Sequence, residues 1–223
     1  MHASLCAHTT FAQPGAIQAT ADHPPFACPS RRLAHVDTEA YLRSLASPDF
    51  TFTIARIGLY AEGFDLYTAS FDLAHPPADG LIRIPHPGTG PGIAWAAKAE
   101  LGEAVARMLE QIHHADVQTA PYANELLVLS GPEDLSLSAT ANVFADVLGR
   151  SIQIREVSVD EYASLASVQG GSEYGAGEFA VAWASTFEAV RRGLASPVTP
   201  WLEQLLSRPP TPFIDVVRRL ASP

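Results

Sequence analysis

The chain has 223 residues, 47% of them hydrophobic and 17% charged, which is enough apolar material for a sizeable core in one large domain or two small ones. A net charge of −10 with a pI near 5.1 argues against the basic face that nucleic acid requires and against attraction to an anionic membrane surface. No apolar run reaches the roughly 18 residues of a membrane-spanning helix, and residues 1–30 lack the features of a signal peptide, so a cytoplasmic protein is expected. The two cysteines, Cys6 and Cys28, fit no zinc spacing and are expected to be reduced thiols.

Residues 1–30 carry prolines and histidines with little periodicity and are expected to form an irregular or disordered arm. A helix is predicted from Leu33 to Leu45, then a turn at Pro48-Asp49. The β-branched and aromatic run Thr51–Arg56 predicts a strand that leads into a loop, Ile57–Glu62. Residues 64–79 read as a short helix and a proline-rich connection. Leu81–Ile84 is a short strand, Pro85–Gly92 a glycine-proline loop, and Ile93–Trp95 extended. Leu101, Val105, Met108 and Ile112 mark a helical stripe over 98–112, and Glu125–Ser130 has the character of a buried strand. A helix over 135–148 stops at Gly149, a strand follows at 151–157, and Ser158–Glu161 is a capping box that opens a helix at 159–167. Gly170-Gly171-Ser172 breaks the chain. A long helix over 178–192 ends at Gly193, and short helices close the sequence at 200–206 and 213–220. Alternation of this kind predicts an α/β fold with a parallel or mixed sheet.

The loop after the strand at 51–56 is the main candidate site, because open α/β folds bind ligands at the carboxyl ends of their strands. Gly58 lets backbone approach a planar ligand, Tyr60 offers a ring and a hydroxyl, and Glu62 can accept from a ribose, amide or substrate hydroxyl. The competing reading is a surface turn with a satisfied tyrosine. Gly88-Thr89-Gly90-Pro91-Gly92 lacks the helix that a phosphate loop needs behind it and reads as a tight loop. His35 and Glu39 share a helical face but have no third ligand, so no metal is expected. His113-His114 reads as a solvated helix end. Lys98 is the sole lysine; with Ala94 four positions before it, the Tyr-x-x-x-Lys pair of short-chain dehydrogenases is absent, as is a lysine P-loop.

His35-Val36-Asp37-Thr38-Glu39 and Thr53-Ile54-Ala55-Arg56-Ile57-Gly58-Leu59-Tyr60-Ala61-Glu62 are joined, in order, by Gly92–Ala104, Leu129–Ser136, Val147–Arg150, Val157–Tyr162 and Arg208–Thr211. Together they resemble the NmrA-like branch of atypical short-chain dehydrogenases, and especially fungal proteins similar to NAD(P)H-quinone oxidoreductases. The resemblance covers roughly residues 33–220. It implies the C-terminal part of a Rossmann-like sheet, incomplete over these residues, plus a small helix-rich substrate domain, with residues 31–220 as a partial family domain. The family's glycine-rich dinucleotide loop is absent from the sequence, so the strand at 51–56 is expected to have exposed edges. By resemblance the cofactor is NADP or NAD, and Ile57, Gly58, Leu59, Tyr60, Ala61 and Glu62 contact its nicotinamide end. The reaction implied is reduction of a quinone or similar small molecule, in fungal secondary metabolism. No catalytic residue is assigned, although Tyr60 is the one chemically sensible proton donor. The implied partner is a small-molecule substrate, and a homo- or hetero-oligomer can cover the exposed sheet edge. The alternative is a non-catalytic family member that acts as a regulator or binding module.

Overall fold

The computed structural model describes residues 4–9, 29–116, 119–171 and 178–222. Among these, three parallel strands form the main sheet in the order β1 (Ser4–Thr9), β2 (Phe52–Ile57), β4 (Glu125–Leu129). Two further parallel strands, β3 (Leu81–Ile84) and β5 (Gln153–Glu156), make a second, smaller sheet. The helices are α1 (Pro29–Leu45), α2 (Lys98–His113), α3 (Leu137–Leu148), α4 (Val159–Ser164), α5 (Ala166–Gln169), α6 (Glu178–Arg191), α7 (Trp201–Leu206) and α8 (Phe213–Ala221). A 3-10 helix spans Ala61–Tyr67.

The central strand β2 is buried on both faces, as strands of parallel sheets usually are. Side chains alternate along β2 with period two. Phe52 and Ile54 pack with Leu42 of α1 on one face, and Ala55 and Ile57 pack with Leu127, Leu129, α2 and α7 on the other. Arg56 falls on the α1 face, where Nε and Nη2 donate to the two carboxylate oxygens of Glu39 at 3.0 and 2.8 Å. That paired geometry fixes α1 against β2 and uses the carboxylate that sequence spacing had offered to a metal.

The second core lies around the smaller sheet. The 3-10 helix, α3, α6 and α8 enclose Phe64, Trp95, Phe144, Phe187 and Phe213, with Phe71 stacked on Phe144 and Trp95 on Phe213. Helix signals that are local in sequence hold well. Ser136 caps α3 by accepting from the Ala139 amide, Gly149 ends that helix in the left-handed region, and the Ser158 hydroxyl accepts from the Glu161 amide.

Several expectations change. Residues 4–9 form a strand inside the stretch read as an irregular arm, and α1 begins at Pro29. Ser-Leu-Cys-Ala-His-Thr is not rich in β-branched residues, and pairing with β2 rather than local propensity defines the strand. The remainder of the arm, including Cys28, lies outside the described residues. With β1 on one side and β4 on the other, β2 is the central strand, so its edges are not exposed. The helix expected at 159–167 divides at Leu165, whose backbone is extended.

Candidate functional site

All three strands of the main sheet run in the same direction, so Thr9, Ile57 and Leu129 end side by side. The candidate segment continues from β2 at that carboxyl edge. Ile57 is the last residue of β2 and its side chain is in the core, a correction to its reading as loop. Ala61 and Glu62 open the 3-10 helix, and Ala61 is fully buried.

Backbone pairing accounts for the shape of the segment. The Gly58 amide donates to the Leu129 carbonyl at 2.8 Å, extending the ladder past the end of β2. A Cβ on Gly58 would meet that same carbonyl oxygen at 2.7 Å. The glycine is therefore required by the close approach of β2 to β4. The extended run 93–97 then passes alongside: the Ala96 amide donates to the Leu59 carbonyl at 3.0 Å, and the Ala61 amide donates to the Ala96 carbonyl at 2.8 Å. On its other flank, the Gly131 amide donates to the Ala94 carbonyl. A Cβ on Gly131 would come within 1.7 Å of the Trp95 carbonyl oxygen. Two glycines thus allow three chain segments to meet where the strands end.

With the side chains of Ile57 and Ala61 in the core and the amides of Gly58 and Ala61 engaged, Tyr60 and Glu62 are the polar side chains that the segment presents. Tyr60 is 37% exposed and sits at the bridge to Ala96. Glu62 Oε2 accepts from the Lys98 backbone amide at 2.9 Å, capping the first turn of α2, whose amides lack helical partners. The same contact brings the lysine to the tyrosine: Lys98 Nζ lies 5.8 Å from the centre of the Tyr60 ring, within cation–π range. From the sequence alone, Lys98 serves only to exclude a Tyr-x-x-x-Lys motif and a lysine P-loop. The Gly92–Ala104 segment carries it, but no local signal joins positions 60 and 98, which are brought together by the bridge at Ala96 and by the Glu62 contact.

Other polar groups nearby are committed to structure. The Ser130 hydroxyl, at the end of β4, accepts from the Thr199 amide at 3.0 Å. Tyr67 is buried, and burial pushes its phenol well above the ordinary value, with Tyr162 adding to the shift. Burial likewise pushes Tyr162 up to about 12. Both lie in the second core, so Tyr60 is the tyrosine exposed at this edge of the sheet. The Gly88–Gly92 loop packs away from it: the Gly88 carbonyl accepts from the Ser138 amide of α3, and Asp134 accepts from the Gly92 amide. A cavity of about 370 Å³ lies beside the smaller sheet, lined by Ser70, Phe71, Arg83 and Leu165 among others and by none of residues 57–62. Among the described residues no group of three or more His, Cys, Asp or Glu is arranged to hold a metal.

Comparison with known proteins bears on the fold. The chain is 28% identical over 189 residues to the NmrA-like family domain-containing oxidoreductase flvB of Aspergillus flavus, a match covering 84% of this chain and 54% of that protein. The chain resembles the NmrA-like oxidoreductases. It spans about half the length of that relative. Its fold matches the NADPH-dependent quinone oxidoreductase QOR2 of Escherichia coli, solved with NADPH, at a TM-score of 0.68 and 21% identity, covering 98% of this chain and 66% of that one. It also matches NmrA, a negative transcriptional regulator solved with NAD, at a TM-score of 0.55 and 15% identity over 82% of this chain and 55% of that one. The expected Rossmann-like α/β fold is therefore present. No family model matches the chain. No helix among the described residues is long and apolar enough to cross a membrane.

Proposed function

We propose that this chain is an NAD(P)H-dependent oxidoreductase that reduces a quinone or similar small molecule, with Tyr60 and its neighbours at the nicotinamide end of the site. The observation that carries this reading is the half-open Tyr60 ring at the carboxyl end of β2, in a chain related to an NmrA-like oxidoreductase. A bound reduced nicotinamide supplies a hydride. The chain supplies an aromatic face on which a planar ring can stack, a hydroxyl able to give or take a proton, and a strand-end backbone held rigid by the ladder to Leu129 and Ala96. Rigid placement of this kind contributes to rate through positioning. Ile57, Gly58, Leu59 and Ala61 support the site chiefly as its backbone frame. The reading includes a cytoplasmic location and, from the Aspergillus relative, a fungal setting.

The test is NADPH consumption by the full chain with menadione as acceptor, alongside calorimetric titration of NADPH. We expect saturable NADPH binding and quinone-dependent oxidation, with Tyr60→Ala lowering turnover by about 10²-fold, the low end of a general acid–base contribution. Absence of binding at millimolar NADPH overturns the reading. Since the regulator NmrA shares the fold, binding without turnover for any quinone would favour the second reading, a dinucleotide-binding regulator.

A further inference from the structure

We infer that Lys98 is the substrate-selecting residue of this site, pairing with an anionic oxygen on a planar aromatic or quinonoid ligand that stacks on Tyr60; this rests on the functional reading above. The position of the ammonium is the first argument. Lys98 is the opening residue of α2, a helix of 16 residues, where the helix dipole disfavours a cation. Among the described residues, no carboxylate lies within ion-pair distance of its ammonium. Several described arginines are paired instead, including Arg56 with Glu39, Arg83 with Asp79 and Arg208 with Glu100. The nearby carboxylate of Glu62 is turned to the Lys98 amide instead.

Composition is the second argument. In a chain of net charge −10, an anionic ligand meets a repulsive field, so an exposed cation near the strand ends, such as Lys98, favours its approach. The Tyr60 ring beneath that cation supplies the complementary surface for a flat apolar body. Ring and ammonium together describe a ligand with a planar core and an acidic substituent such as an ionised hydroxyl, carboxylate or sulfonate.

The experiment measures binding of two probes, a sulfonated naphthoquinone and neutral menadione, to the full chain by calorimetry with and without NADPH. Wild-type, Lys98→Met and Lys98→Arg proteins are compared after their melting temperatures are shown to agree. In the wild type the sulfonated probe is expected to bind about tenfold tighter than menadione, the range of one hydrogen bond to a charged group, and less so at high salt. Lys98→Met should bring that ratio to one, Lys98→Arg should keep most of it, and menadione affinity should stay level across all three. An unchanged ratio in Lys98→Met, no anionic preference in the wild type, or binding of neither probe overturns the assignment. A loss confined to NADPH affinity would give Lys98 to the cofactor instead and also overturns it. Because the probes are measured without NADPH as well, a failure of cofactor binding leaves this result separately readable.

Discussion

Gly131 and Gly102 make opposite demands on the same substitution. At Gly131 a Cβ would overlap the Trp95 carbonyl oxygen, while at Gly102, inside α2, nothing lies within 4 Å. Gly131→Ala should cost at least the upper end of the roughly 1–3 kcal/mol typical of overpacking. Gly102→Ala should stabilise by about 0.5–1 kcal/mol through helix propensity. Thermal melts of the two variants check the pair, and similar shifts would contradict the packing described here. His86 gives a pH dependence. Its side chain is fully buried, Nδ1 accepts from the Gly88 amide at 2.9 Å, and Nε2 has no partner among the described residues. Burial first, and Arg191 second, hold its pKa below the ordinary value, opposed by Glu156 and Glu188. The native state therefore binds fewer protons than the unfolded chain, and this contribution, complete above about 6.5, the unfolded value, is lost as pH falls from there towards the lower folded value. Urea unfolding between about pH 7.5 and 5.5 should show that loss, and His86→Asn should reduce the slope. An equal slope in the variant would contradict the assignment.

Between elements, the Glu39–Arg56 pair is a specific link from α1 to the central strand. Arg56→Met leaves a largely buried carboxylate without its guanidinium, a change that costs about 3–5 kcal/mol, with the partial exposure of Arg56 favouring the lower figure. Replacing both residues by Leu should recover most of the loss, since an apolar pair needs no desolvated charge. Equal destabilisation in the single and double variants, measured by urea unfolding, would contradict the link. These elements also show what local sequence carries. The stripe of α2, the Ser136 cap and the Gly149 stop of α3 were legible because a helix end is decided by residues three or four apart. β1 was not, because a six-residue strand is defined by its partner rather than by its own residue types. The break at Leu165 was also hidden, as no glycine or proline marks it.

For the whole molecule, the order of strands explains why the site was only half legible. The carboxyl end of β2 could be identified from a strand followed by a glycine loop. The reason for the glycine could not, because Leu129 is 71 residues beyond Gly58 and reaches it only through the parallel β2–β4 ladder. The meeting of Tyr60 with Lys98 depends likewise on the run 93–97, which crosses from the smaller sheet to α2. The sequence predicts a loop over 57–62, whereas Ile57 ends a strand and Ala61 starts a helix, leaving Tyr60 and Glu62 as the polar side chains the segment presents. The central claim is that a nicotinamide dinucleotide binds where the three parallel strands end. Amide shift mapping by NMR during an NADPH titration of the full chain tests it directly. Shifts should concentrate at residues 58–62, 96–98 and 130–131 and saturate with a single affinity; the absence of shifts, or their confinement to the cavity around Ser70 and Arg83, would contradict it.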